Sequence, residues 1–316
     1  MSELFVLDAS FSTLRAESFT NDAVGRLVQN AVTGTGADTV SLDRTLVNSV
    51  DETTSQRLDS WKVIDQKNSG RCWEFAGLNV LRAKVIDELK VDDFQFSQNY
   101  IAFFDKLEKA NHTLSRAIAT ASRDASEEGV RSIMDYPSED GGWWFQFTDI
   151  VAKYGLVPSW AMPDTESAGN TAQMNQALAT VLRRAIGRIR EGATNSDPAE
   201  GSAHMEAVRN EALNAVWRIL AIHLGTPPTS FMWQYRDKDK NFHRKGTYTP
   251  LKFAHEIVPQ AFDPWLALAH DPREEHPVGR TYVHEHTPYM EGGTPYWHLS
   301  VGLDLLKTVS YTHLRA

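Results

Sequence analysis

The stretch QKNSGRCWEF, residues 66–75, contains the chain's single cysteine, Cys72. A thiolate attacks a carbonyl and a thiol hardly does, so a working cysteine needs surroundings that favour the anion. The first turn of a helix is such a place, because the macrodipole and the unpaired N–H groups there attract negative charge. Attack on a carbonyl also creates an oxyanion, which needs two donors aimed at one point. The N–H of Cys72 can be one donor. The side-chain amide of Gln66, six residues earlier, can be the other if KNSG folds as a tight turn. Gly70 lets the backbone approach a ligand closely. The competing reading is that a lone cysteine is a small buried hydrophobe.

The elements around this segment follow from periodicity. Phe75, Leu78, Leu81, Val85 and Leu89 recur every three or four residues, which predicts an amphipathic helix with Cys72 in its first turn. Ser97 is placed to cap a second helix with the stripe Ile101, Phe104, Leu107 and Leu114. A third helix is expected over 143–154, ended by Gly155 and Pro158, and further helices over 172–191 and 199–224. Residues 22–33 read as one short helix and TVSLDRTLV, 39–47, as extended. TSFMWQY, 229–235, alternates as a strand with Phe231, Trp233 and Tyr235 on one face, and the charged run 236–245 reads as a solvated hairpin loop. Thr249 and Pro250 open another helix, and 280–301 reads as strands and turns. Helices first and strands later make an α+β protein.

Composition narrows the partners. The net charge of −9 and pI near 5.7 argue against nucleic acid, which needs a basic face. One cysteine excludes an intrachain disulfide framework and a cysteine-based zinc site, and fits a reducing compartment. The N-terminus MSELFVLDAS has no basic, apolar leader, and no stretch approaches a membrane span. A cytoplasmic setting is expected, and the Asn-x-Thr triplet at Asn111 then has no glycosylation to direct.

A nucleophilic cysteine also needs a proton acceptor, and eleven histidines are present. His112 falls on the helix after Ser97 as a surface residue, His204 and His223 on helices, and His270 and His276 in a Pro- and acid-rich loop. In YVHEHTP, His284 and His286 would share one face of a strand, as two metal ligands do, with His298 or Glu291 as a third. Alternating histidines on an edge strand read more simply as surface residues, so no metal and no cofactor is expected.

QKNSGRCWEF resembles the active-site segment of papain-fold cysteine peptidases, and the Arg before the Cys resembles the bleomycin hydrolase and aminopeptidase C branch. NAVT near residue 30, FSQNYIAFFDKLEKAN (96–111), DGGWWFQFTDIVAKYGLVP (140–158), YRDKDKNFHR (235–244), TPLKFAHEIV and, more loosely, HLSVGLDLLK (298–307) resemble that branch in order and spacing. The resemblance implies Cys72 as nucleophile, Gln66 as oxyanion-hole donor and Gly141 and Gly142 as cleft glycines that bond an extended peptide. Trp73 would pack beside the nucleophile, and His243 and His255 fall in segments without a catalytic role. It also implies a cytosolic homohexamer with aminopeptidase activity on peptides.

The family's catalytic His and Asn contexts, a strand with His and later an Asn-Ser-Trp-Gly stretch, are not found in residues 1–316. The expectation is therefore a truncated papain-like fold: a helical half with the Cys72 helix, and a C-terminal barrel half largely missing. The parts would be an N-terminal segment (1–50), an incomplete peptidase domain (51–307) and a tail (308–316, with His313) foreign to the protein. Little or no activity is expected of such a chain, and an uncovered apolar face on the Cys72 helix. The alternative is a non-catalytic short homologue acting as a binding or assembly protein.

Overall fold

The computed structural model describes residues 7–50, 62–271, 273–284 and 289–308. The chain divides into two units, residues 1–55 and 56–316. The first carries α1 (Ala9–Thr20), α2 (Ala23–Thr35), α3 (Ala37–Val40) and α4 (Arg44–Ser49). Asp8, Asp22 and Asp43 start three of them by accepting first-turn N–H groups. None of this unit's described residues is buried. The segment 39–47, expected to be extended, holds parts of two short helices instead. Asp43 accepts from the N–H groups of both Thr45 and Leu46, and this local cap outweighs the strand-like alternation.

The second unit begins with α5 (Cys72–Leu89), α6 (Gln98–Ala119), α7 (Glu128–Asp135), α8 (Trp144–Tyr154), α9 (Glu166–Gly169), α10 (Ala172–Gly192) and α11 (Pro198–Leu224). The hairpin β1 (Phe231–Arg236) and β2 (Phe242–Tyr248) follows, then α12 (Pro250–Ile257) and the strands β3 (Leu266–Ala269), β4 (Thr281–His284) and β5 (Tyr296–Ser300). The three later strands form one sheet in the order β3-β5-β4, with β5 parallel to β3 and antiparallel to β4. The mixed content is that of an α+β protein. No described helix is long and apolar enough to cross a membrane.

Ser97 caps α6 by accepting the N–H of Tyr100 at 3.0 Å, and Thr249 caps α12 through Lys252 at 3.2 Å. Gly155, at φ +77, ends α8 in a backbone state closed to most side chains. Helices α10 and α11 pack on each other and on α6. Their buried residues keep a four-residue step, Met174, Leu178, Leu182 and Ile186 against Val208, Ala212, Val216, Leu220 and Leu224. Such i, i+4 rows are the ridges that interdigitate between helices. Phe253 is fully buried, with its ring centroid 4.9 Å from Trp233 and 5.3 Å from Phe231.

Two further expectations change. The run 236–245 is not wholly loop, because β2 begins at Phe242. Asp237 closes the turn by accepting from the backbone N–H and the side chain of Asn241. Nor is α5 amphipathic: Glu74 and Arg82 are buried along with Phe75, Leu78, Leu81 and Val85. Its exposed stripe is Cys72, Ala76, Val80 and Lys84, and Val80 is the one large apolar side chain on it. The apolar face expected to lie bare is thus narrow.

Charge also lies beneath α5. Lys109 Nζ on α6 donates to Asp105 at 2.8 Å, and Gln146 Nε2 donates to the same carboxylate at 2.5 Å. Glu74 is buried beside them, and its Oε2 has no hydrogen-bond partner. Burial, and then the neighbouring Asp105, push its pKa well above the ordinary 4.5, against the pull of Arg71, Lys109 and Lys106.

Phe253→Ala should destabilise the fold by about 3–5 kcal/mol, the range for a buried aromatic, read from the denaturant midpoint. Glu74→Gln tests the buried acid. A raised folded-state pKa contributes stability at low pH that is lost as pH climbs above 4.5 towards the folded value. The variant's midpoint relative to wild type should therefore rise between about pH 4 and pH 8. A pH-independent difference would mean that Glu74 titrates in the fold as it does in the unfolded chain.

Candidate active site

The nucleophile segment is tied down link by link. Asp65 accepts the N–H of Lys67 at 2.8 Å, and Lys67 takes a left-handed φ of +56. The N–H of Asn68 reaches the carbonyl of Gly169 at 2.9 Å, anchoring the loop to the residues that end α9. Ser69 Oγ donates back to the Gln66 carbonyl at 2.7 Å. Arg71 Nε then donates to Ser69 Oγ at 3.1 Å, while its guanidinium forks onto Asp164 with two contacts of 3.1 Å. The Arg71 side chain is 3% exposed and Asp164 32%, so the guanidinium side of this bidentate pair is held out of water. These bonds build the tight turn that residues 66–71 were expected to form.

Cys72 is the first residue of α5, reduced and exposed. The N–H groups of Glu74 and Phe75 both go to the Arg71 carbonyl. By position, the N–H of Cys72 has no acceptor within the helix. Arg71, at the N-cap, supplies no side-chain cap. The positive end of the helix is thus left open where the thiol stands. Gln66 is half-buried, and its Oε1 is buried without a partner. Its amide is not committed to a closed protein network at that end.

The glycine pair splits into two roles. A Cβ on Gly142 would lie 2.4 Å from the Trp73 ring, so the position is closed by the residue next to the nucleophile. A Cβ on Gly141 would meet nothing within 4 Å. Gly141 is exposed, and its carbonyl accepts Lys109 Nζ at 2.6 Å. Gly141 is the member of the pair with room beside it for a ligand backbone.

The histidines have other engagements. His112 pairs with Glu291 at 2.9 Å, His223 with Ser167 at 2.8 Å and His243 with Asp237 at 2.8 Å. His255 stacks on Phe262, His270 meets the Val301 carbonyl at 3.0 Å and His276 meets Asp271 at 2.5 Å. His112 is half-buried, not the surface residue expected. His284 and His298 bond each other at 2.7 Å across β4 and β5, while Glu291 turns to His112. Two of the candidate ligands thus meet while Glu291 is engaged elsewhere, and no group of three or more potential metal ligands exists among the described residues. His286 and residues 309–316, with His313, lie outside the described residues.

Sequence reading missed the carboxylates that hold this segment, Asp140 and Asp164. It also missed the buried cations Lys106 and Lys109. The available signal was Asp105, Lys106 and Lys109 interrupting the apolar face of α6. Charges at such positions need partners.

Comparison with known proteins places the chain in a family. Aminopeptidase C of Listeria monocytogenes is 34% identical over 267 residues, 84% of this chain and 59% of the relative. Bleomycin hydrolase of Homo sapiens is 35% identical over 253 residues, 78% of this chain and 54% of the relative. The crystal structure of PepW from Lactobacillus rhamnosis HN001 superposes with a TM-score of 0.86 at 30% identity, over 98% of this chain and 69% of that one. The chain thus spans little more than half the length of the first two relatives. The sequence model of the Peptidase C1-like family matches residues 7–316, and the chain belongs to that papain-like family of cysteine peptidases.

Proposed function

We propose that this chain carries the nucleophile half of a cysteine-type aminopeptidase site of the bleomycin hydrolase and aminopeptidase C kind. The observation that carries the reading is an exposed thiol at the first residue of a half-buried helix whose N-terminus has no side-chain cap. The Cys72 thiolate attacks the carbonyl of an N-terminal residue, and an S–C bond forms. The negative charge moves to the carbonyl oxygen, where the Cys72 N–H and the Gln66 amide meet it. Collapse breaks the C–N bond, and the amine leaves with a proton from a general acid. The resulting thioester is hydrolysed by water to a free amino acid and the thiol.

The described contacts of the histidines supply no base to Cys72, so this reading assigns the proton shuttle, and the Asn that orients it, to none of the described residues. The chain alone then turns over little or no peptide, since losing one member of such a set removes several orders of magnitude in rate. Peptide substrates and a homohexameric, cytoplasmic whole enzyme belong to the same proposal, supported by the relatives' kinship. The second reading, a non-catalytic binding protein, is favoured by the same lack of a histidine contact to Cys72 among the described residues.

An amino-acid chloromethyl ketone with a free amine separates them. Cys72 should be labelled one to one in the purified chain, and Cys72→Ser should not be labelled. Gln66→Ala should slow labelling by about 10²-fold, the low end for loss of one oxyanion donor. Equal rates with and without Gln66, together with a labelling profile that follows an ordinary thiol near pH 8.5, would favour the binding protein.

A further inference from the structure

Asp140 stands one residue before the glycine pair and meets the nucleophile segment on both sides of Cys72. Its Oδ2 accepts the N–H of Gly70 at 3.3 Å and Thr171 Oγ1 at 2.9 Å. Its Oδ1 accepts Lys106 Nζ at 2.5 Å and Asn175 Nδ2 at 2.8 Å. Its carbonyl accepts Trp73 Nε1 at 2.7 Å. One residue therefore holds the position two before the thiol, the position after it, α6, and the start of α10. The approach is also steric: a Cβ on Gly70 would lie 2.4 Å from that of Asp140. Burial opposes ionisation of this carboxyl, but Lys106, Asn175 and Thr171 outweigh it and hold its pKa well below the usual carboxylate range.

We propose that Asp140 is a positioning residue that fixes the Gly141–Gly142 wall relative to Cys72, and so sets where a peptide lying along that wall presents its carbonyl to the sulfur. The inference rests on the peptidase reading above. The connection is short and stiff. Gly141 follows Asp140 directly, its carbonyl is held by Lys109, and Gly142 lies against the Trp73 ring that Asp140 anchors. If the carboxylate becomes an amide, the four donors converge on a group with one acceptor and two N–H donors of its own. The wall must then move to relieve them. A displacement of about 1 Å in a reacting geometry is worth about 10²-fold in rate.

The test compares two alkylating agents with one electrophile. Iodoacetamide touches little beyond the sulfur, whereas iodoacetyl-Phe-Gly amide adds a backbone that must lie along the wall. The ratio of their second-order rate constants, at about pH 9 where an ordinary thiol is ionised, cancels changes in thiol reactivity. Wild type should favour the peptidyl reagent by about tenfold or more. Asp140→Asn should cut that ratio by about tenfold while the iodoacetamide rate stays within about twofold. Thr171→Val removes one donor to the same oxygen that holds Gly70, and keeps the carboxylate. It should lower the ratio by about threefold, and it decides the matter if the asparagine variant does not fold. A lower melting temperature with an unchanged ratio would make Asp140 purely structural and overturn the inference. A wild-type ratio near one would overturn the peptidase reading itself.

Discussion

The ion pair of Asp140 with Lys106 is the constraint from which the local architecture follows. Both groups are largely withdrawn from water, Lys106 at 3% exposure and Asp140 at 20%. A pair in that setting is tolerable only when the remaining lone pairs and protons are met. Here the donors come from residues 70, 106, 171 and 175, and Lys106 also reaches the Glu139 carbonyl at 2.7 Å. Satisfying the charge and bringing the nucleophile loop, α6 and α10 together are one event.

Asp140 and Glu74 show how the same functional group takes opposite states a few residues from one thiol. Asp140 gathers four donors and stays ionised. Glu74 has an oxygen with none, and burial holds it towards the neutral form. Both are acids beside buried lysines, so a nearby positive charge does not by itself decide the outcome. Depth of burial and direct contact do: Glu74 is raised first by burial, whereas Lys106 meets Asp140 directly and Asn175 and Thr171 add hydrogen bonds.

Much of this fold was legible because its signals are local. Ser97, Thr249 and Gly155 mark helix ends by chemistry contained within four residues, and the apolar periods of α10 and α11 run long enough to be read. The short elements α7, α9 and β3 offer too few residues for a period to emerge. The strand-like alternation in 39–47 lost to an aspartate cap that acts over three residues. Within the site, Cys72 and Gln66 were visible as a spacing, and the glycine pair only through the family resemblance. Their supports were not: Arg71 and Asp164 lie 93 residues apart, and Trp73 and Asp140 lie 67 apart. Nothing in the sequence around an acid names a partner at that distance.

The two glycines before α8 carry one further lesson, about tolerance to change. As letters they form a doublet, and a doublet invites a single explanation. In the fold, position 142 is sealed by an indole ring, and a methyl group there would displace the residue beside the thiol. Position 141 is open to solvent, and a methyl group there would collide with nothing in the protein. Packing within the protein therefore opposes a side chain at 142 and not at 141. The two letters of the doublet thus differ in what a side chain would cost the fold: a displaced indole at one position and nothing at the other.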